Sequence, residues 1–307
     1  MTEPLFKRLA ILGLGLIGSS VARAAQTTGA AATVIGFDQD EDVCAQASAL
    51  GFLDETAATA KAAIADADAV ILCVPVGAID AVVADIADAV KPGAIISDVG
   101  SVKASVAKAF AHLPDMVHAI PAHPVAGTEK SGPAAGFASL FDGRWCIITP
   151  PDGADQSAVT TLKAFWQRLG AQVDEMSAEH HDLVLAITSH VPHLIAYNIV
   201  GTASDLEAVT QSEVIKYSAG GFRDFTRIAA SDPTMWRDVF LGNKDAVLEM
   251  LGRFSEDLTA LQRAIRWGDG DALFSLFSRT REIRRNIIDA GQETAEADFG
   301  RHTPSDS

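Results

Sequence analysis

An α/β fold with a parallel sheet, followed by an all-helical domain, is predicted by three features of this 307-residue sequence. Short continuous apolar runs alternate with helical patterns over the first half of the chain, as they do where strands are buried on both faces of a parallel sheet. A glycine cluster, Gly13-Leu14-Gly15-Leu16-Ile17-Gly18, follows the first of these runs, and an acid, Asp38, stands twenty residues beyond its last glycine. From Ala178 onward the β-branched runs stop and 3.6-period segments take over.

The first strand, Leu9-Ala10-Ile11-Leu12, leads into the glycines, and an alanine-rich helix leaves them. Strand, glycines, helix and acid at this spacing form a dinucleotide fingerprint. Gly13 allows the tight turn, Gly15 lets main-chain N–H groups reach a pyrophosphate, and Gly18 lets the helix pack on its strand. The helix N-terminus, with Leu16 and Ile17, adds partial positive charge for the phosphates. Asp38 ends the second strand, Thr33–Phe37, where its carboxylate can accept from ribose hydroxyls and repel a 2′-phosphate. No arginine lies nearby, so NAD is favoured over NADP. The first domain is therefore expected to be a Rossmann-type dinucleotide-binding domain over residues 1–177.

Further elements follow in order. Glu41–Leu50 reads as an amphipathic helix and Ala57–Ala65 as a weak one; Asp68–Pro75 is a buried strand whose end, Val74-Pro75, faces the ligand crevice. Then come helix Ile79–Val90, strand Ala94–Asp98, helix Val102–Phe110 and strands Val117–Ile120 and Trp145–Thr149, with helix Ser157–Leu169 and strand Ala171–Glu175 completing the domain. Strands and helices alternating at this length imply right-handed crossovers. The second domain, 178–291, is expected to be helical over His180–Gly201, Asp205–Lys216, Pro233–Arg266 and Asp271–Ala290, and residues 292–307 form a polar tail expected to be disordered.

Composition narrows the function. A formal charge of −16 argues against nucleic acid or an anionic membrane as partner. No run approaches the roughly 20 apolar residues of a membrane span, and the N-terminus lacks a signal-peptide stretch; cytoplasmic residence is the expectation. Three separated cysteines, Cys44, Cys73 and Cys146, suit buried small apolar roles rather than a disulfide framework.

Loops after strands face the crevice of an open α/β sheet. Ser101, in Asp98-Val99-Gly100-Ser101-Val102-Lys103, either caps the following helix or places its hydroxyl beside the nicotinamide, and both can hold together. His123, in Pro121-Ala122-His123-Pro124-Val125-Ala126-Gly127-Thr128-Glu129-Lys130-Ser131-Gly132, sits on a proline-stiffened loop and reads as a general base, or as a hydrogen-bonded structural histidine. Ser189-His190-Val191-Pro192-His193 lies in an apolar helix that Pro192 should kink, which suggests a site wall. His190 and His193 could alternatively bind a metal with His180, His181 or Asp182, but hydride transfer to NAD requires none and no third ligand stands at a fixed spacing. Arg227, in Gly220-Gly221-Phe222-Arg223-Asp224-Phe225-Thr226-Arg227, is either a surface ion-pair member or a bidentate carboxylate anchor near Trp236.

Together GLGLIGSS, DVGSVK, HPVAGTEKSG, SHVPH and GGFRDFTRIAASDPTMWRD resemble the prephenate and arogenate (cyclohexadienyl) dehydrogenase family, from Leu9 to about Ile287. The resemblance implies NAD-dependent oxidative decarboxylation of prephenate to 4-hydroxyphenylpyruvate in tyrosine biosynthesis, with arogenate to tyrosine as a second or alternative reaction. It implies that His123 accepts the hydroxyl proton, that Ser101 orients it, and that Arg227 holds a substrate carboxylate. His190, His193 and Trp236 would line the substrate pocket, Thr128 and Glu129 would belong to a mobile polar loop, and the helical domain would build a homodimer. Glu129 is also a candidate for recognising the amino group of arogenate. The rival readings are another NAD-linked hydroxyacid or imino-acid oxidoreductase and a non-catalytic NAD-binding regulator.

Overall fold

The computed structural model describes residues 3–128, 130–210 and 220–289, and the chain divides into two compact units, 1–250 and 251–307. In the first unit six parallel strands, β1 Phe6–Leu12, β2 Ala31–Phe37, β3 Glu55–Thr56, β4 Ala69–Leu72, β5 Ile95–Asp98 and β6 His118–Ala119, take the order β3-β2-β1-β4-β5-β6. This is the doubly wound order, and its reversal point between β1 and β4 opens the crevice where such sheets bind ligands. Helices α1 Leu16–Thr28, α2 Glu41–Leu50, α3 Ala60–Ile64, α4 Ile79–Ile86 and α5 Ala104–Phe110 make the connections. Successive side chains of β1 serve opposite faces, as the strand pleat requires. Leu9 and Ile11 pack with Val21 and Ala25 of α1, whereas Ala10 and Leu12 pack with Val83 and Ile86 of α4.

Pro121 has no N–H for a ladder, and the chain leaves the large sheet before it. A second sheet of β7 Ala122–Pro124, β8 Trp145–Ile148 and β9 Gln172–Glu175 follows, with β7 antiparallel to β8 and β8 parallel to β9. His123 is thus held in a strand, opposite Ile147, and not on a loop as the sequence suggests. Between β8 and β9, α6 Gln156–Arg168 packs Phe165 and Trp166 into the core.

From Ala178 every described element is helical: α7 Ala178–Leu185, a π turn Ala186–His190, α8 Val191–Thr210, α9 Gly220–Thr226, a 3₁₀ turn Arg227–Ala230, α10 Pro233–Gly242, α11 Lys244–Trp267 and α12 Gly270–Asp289. The expected kink at Pro192 takes the form of the π turn, where the Val191 N–H reaches back to the Ala186 carbonyl. The expected single segment Pro233–Arg266 is broken at Asn243, whose φ of −111° and ψ of 35° leave the helical region. The segment expected from Asp205 continues α8 to Thr210; its remainder, like the polar tail, lies outside the described residues. Contrary to the sequence reading, the continuous run Ala178–Asp205, with a hydropathy of 1.5, is long and apolar enough by length and composition to cross a membrane. Its buried His181, Asp182 and His190 engage the protein interior.

One ion pair fixes the carboxyl edge of the sheet. Asp98 ends β5, and Lys103 Nζ, fully buried, donates to its Oδ2 at 2.5 Å and to the Ala122 carbonyl at 2.7 Å. Asp98 also accepts from the Gly100 N–H at 2.8 Å and the Ala122 N–H at 3.1 Å. Burial pushes the Asp98 carboxyl up and the Lys103 ammonium down, each opposed by the other's charge. The pair clasps the loop carrying Ser101 and ties it to the start of β7. Lys103→Met would leave the Asp98 carboxylate buried and uncompensated, so a loss of about 3–5 kcal/mol is expected in urea-unfolding free energy; a loss below about 1 kcal/mol would show that the pair does not hold this edge.

Candidate active site

The glycine loop joins β1 to α1 at the crevice. Gly13 has a φ of 97°, and a Cβ there would run into the Cys73 carbonyl oxygen. A Cβ on Gly18 would strike the Gly13 carbonyl, so α1 approaches this loop closely only with glycine there. Gly15, the N-cap of α1, faces open space and caps nothing through a side chain. Its position leaves the first N–H groups of the helix, on Leu16 and Ile17, available to an anion. Asp38 accepts the Leu14 N–H at 2.8 Å, which fastens the loop to the end of β2. Cys44, read from sequence as an apolar filler, buttresses that acid: its thiol donates to the Asp38 carbonyl and accepts the Asp38 N–H, each at 3.3 Å. Val74 and Pro75 follow β4 beside the Gly13 turn. These features fit a dinucleotide.

Across the sheet edge, His123 is 7% exposed and its Nδ1 lies 2.8 Å from Nε2 of His181. The two rings meet edge to face, at 71°. His181 Nδ1 lies 2.9 Å from Oδ1 of Asp182. Asp182 also accepts from the main-chain N–H groups of Lys103, at 2.7 Å, and Ala104, at 2.9 Å. Ser101 therefore does not cap α5; Lys103 occupies the cap position, its side chain caps nothing, and the cap comes from a carboxylate 79 residues away. Ser101 remains half-buried on the loop between the two members of the ion pair.

The π turn places His190 in the interior beside the Ser101 main chain. Its Nδ1 is 3.1 Å from the Asn243 amide nitrogen, which also donates to the Asp182 carbonyl at 2.7 Å. One turn on, His193 stacks on Trp236 with ring centroids 3.7 Å apart, and its Nδ1 donates to the Ser189 carbonyl at 2.8 Å. The Tyr197 hydroxyl donates to the Ser231 carbonyl at 2.7 Å, fixing the end of the 3₁₀ turn that carries Arg227. Arg227 is exposed and near enough to His193 to disfavour its protonation. His190, His193, Trp236 and Arg227 thus form one cluster. Thr128 is exposed and accepts the Lys130 N–H at 3.2 Å, and Glu129 lies outside the described residues.

Sequence reasoning missed Asn243 and Lys103 and treated His181 and Asp182 only as metal-ligand alternatives. The available signal was an adjacent histidine and acid in the first turns of an otherwise apolar helix.

Burial holds the site's histidines in their neutral forms. It keeps His123 well below the ordinary histidine range, helped by the nearby His181, Lys103 and His190. Burial also lowers His181 against the pull of Asp182, and pushes His190 down to about 4. A histidine kept neutral by the fold takes its proton first in the unfolded chain, so its stabilisation is full above pH ~6.5 and drains as pH falls. Between pH 6.5 and 5, His190 alone is expected to cost about 1–2 kcal/mol. Urea unfolding at the two pH values tests this, and the pH dependence should shrink in His190→Gln; an equal slope in both proteins would refute it.

Known proteins share this order of domains. Residues 21–175 match the family model described as the nucleotide-binding domain of prephenate dehydrogenase, and residues 177–279 match its dimerization domain. The first match begins beyond the glycine loop, which rests on its own geometry. The chain is 45% identical over 280 residues to the cyclohexadienyl dehydrogenase of Zymomonas mobilis, covering 91% of this chain and 95% of that one. It is 34% identical to the prephenate dehydrogenase of Bacillus subtilis, over 90% of this chain and 75% of the relative. A crystal structure of Aquifex aeolicus prephenate dehydrogenase in complex with hydroxyphenyl propionate and NAD+ superposes with a TM-score of 0.86 at 30% identity, covering 94% and 99% of the two chains. With both family models matched in order along a doubly wound domain and the helices after it, the chain belongs to the prephenate dehydrogenase family.

Proposed function

We propose that this chain is an NAD-dependent dehydrogenase that converts prephenate to 4-hydroxyphenylpyruvate and carbon dioxide in tyrosine biosynthesis. The observation that carries this reading is a buried, neutral histidine, His123, at the carboxyl edge of the sheet that also holds the open glycine loop. Gly13, Gly15, Gly18 and the α1 N-terminus would hold NAD with Asp38 at its ribose, and the cofactor would supply the acceptor for the hydride that leaves the ring carbon bearing the hydroxyl. His123 takes the hydroxyl proton, which breaks the O–H bond as the carbonyl forms. Loss of the carboxylate then returns its bonding electrons to the ring as an aromatic phenolate, and His123 gives the proton back. Aromatisation drives the reaction, so the protein has only to position, move one proton and offset charge.

Ser101 orients the hydroxyl and the base from the clasped loop. Arg227, whose side chain carries no ion pair among the described residues, holds a substrate carboxylate, and His190, His193 and Trp236 shape the wall. Arogenate is a second substrate in this reading, supported by the 45% identity to a cyclohexadienyl dehydrogenase. Exposed apolar residues on α11 and α12, including Trp267 and Phe274, each 73% exposed, supply the surface for a homodimer.

His123→Asn is expected to keep cofactor affinity while lowering turnover by about 10²–10⁴, measured as prephenate-dependent NADH absorbance beside NAD titration; near-normal turnover would remove His123 from the chemistry. Arg227→Ala should mainly raise KM for prephenate, and an unchanged KM would assign the anchor to another cation. For the cofactor, Asp38→Ala should narrow the preference for NAD over NADP in kcat/KM by relieving repulsion of the 2′-phosphate; an unaltered ratio would free Asp38 of that role.

A further inference from the structure

The proton positions on the two touching histidines follow from their neighbours. Asp182 already accepts two main-chain N–H groups, one at each oxygen, and offers a lone pair to His181 Nδ1 at 2.9 Å. His181 therefore carries its proton on Nδ1 and donates it to the carboxylate. A neutral His181 so fixed presents a bare lone pair at Nε2, and the contact at 2.8 Å to His123 Nδ1 is a hydrogen bond only if His123 is the donor. His123 then holds its proton on Nδ1, and its Nε2 is the basic nitrogen.

We infer that His181, oriented by Asp182, is a positioning residue that fixes the tautomer of His123 and thereby chooses Nε2 as the atom that takes the substrate's proton. This deepens the proposed dehydrogenase reading and rests on it for the identity of the proton donor. The chemistry balances without a further reactant. The substrate O–H bond breaks, an Nε2–H bond forms on His123, and the Nδ1 proton stays in place, now in a stronger hydrogen bond to His181. The positive charge on the His123 ring is offset through His181 by the Asp182 carboxylate, which the two N–H groups of α5 hold in place. Lys103 and His190, the other groups that bear electrostatically on His123, do not supply this compensation: one is a cation and the other a neutral ring.

The same order of groups explains why the base is buried at all. A histidine in water exchanges its proton between both nitrogens and turns freely, so much of its population presents the wrong atom. Here, with His181 and the β7 backbone fixing the ring, the orienting cost is met during folding.

The test separates tautomer from turnover. In wild-type enzyme labelled with ¹⁵N-histidine and carrying NAD but no substrate, the His123 resonances, assigned by their loss in His123→Asn, should show a protonated Nδ1 and an unprotonated Nε2. In His181→Leu, which removes the acceptor, His123 should shift toward the Nε2–H form. There kcat should fall by about 10- to 100-fold with KM for prephenate within about threefold. His181→Gln, whose amide oxygen can accept the same hydrogen bond, should restore the tautomer and part of kcat. An Nε2–H tautomer on His123 in the wild-type protein overturns the inference whether or not either variant folds, and so does a His181→Leu enzyme with unchanged tautomer and rate. The wild-type spectrum needs no substrate, so absence of prephenate turnover would sink the proposed reaction while leaving the tautomer assignment to be read on its own.

Discussion

A helix start buried without a cap of its own governs how this site is assembled. The N-cap position of α5 is Lys103, whose side chain is spent on Asp98 and the Ala122 carbonyl. Stranding the first N–H groups of that helix in the interior would cost about 1–3 kcal/mol apiece. Asp182 takes two of them, and bonds to a charged acceptor are among the stronger ones in proteins. Docking α7 in any other register would forfeit them. The correct register brings His181, the preceding residue, against His123 of β7, and presents the Asp182 carbonyl to Asn243 between α10 and α11. One residue thus aligns the nucleotide-binding sheet, the helix that carries His181 and His190, and the helix pair that meets at Asn243.

The parts of this fold that were legible in the sequence are those set by local chemistry. The buried strands stood out because alternation disappears when both faces are covered, and Glu41–Leu50 was bounded correctly because Asp40 caps its start and Gly51 ends it in the left-handed conformation. The glycine loop was legible through its spacing from the strand before it and the acid after it, although the demand on each glycine differs: Gly13 has a positive φ and lies against the Cys73 carbonyl, Gly18 lies against the Gly13 carbonyl, and Gly15 faces open space. What escaped depends on partners far along the chain. Asn243 gives no periodic signal for a helix break; it leaves the helix while its amide serves His190 and Asp182, 53 and 61 residues away. Ser101 looked like a cap because capping propensity is local, yet the cap arrives from Asp182. His123 looked like a loop residue because Pro121 and Pro124 flank it, although a three-residue strand against β8 tolerates prolines at its margins.

The charge balance of the chain sharpens the role of burial. A formal charge of −16 tends to favour protonated histidines everywhere in the molecule. Yet His123, His181, His190 and His193 are all lowered, with burial the largest cause for each. Desolvation near the site therefore outweighs the general field, and local cations add to it, through Lys103 at His123 and Arg227 at His193. An acidic protein can in this way keep neutral imidazoles beside an exposed guanidinium.

The same region is a poor place to look for stability. Ion pairs and hydrogen-bonded charges buried as completely as Lys103 and Asp98 commonly do no better than a well-packed apolar cluster of equal volume. The polar chain from the Asp98 pair to Asp182, His181 and the Nδ1 of His123 is connected at every link, through the side chain and the main-chain N–H of Lys103. Apolar replacements could satisfy the core but offer no directional preference to an imidazole ring. A base whose reacting nitrogen must face one substrate atom needs that direction, and only a neighbour with a fixed lone pair supplies it. The network is best understood as orientation built into the interior, with its energetic neutrality the condition that lets the fold carry it.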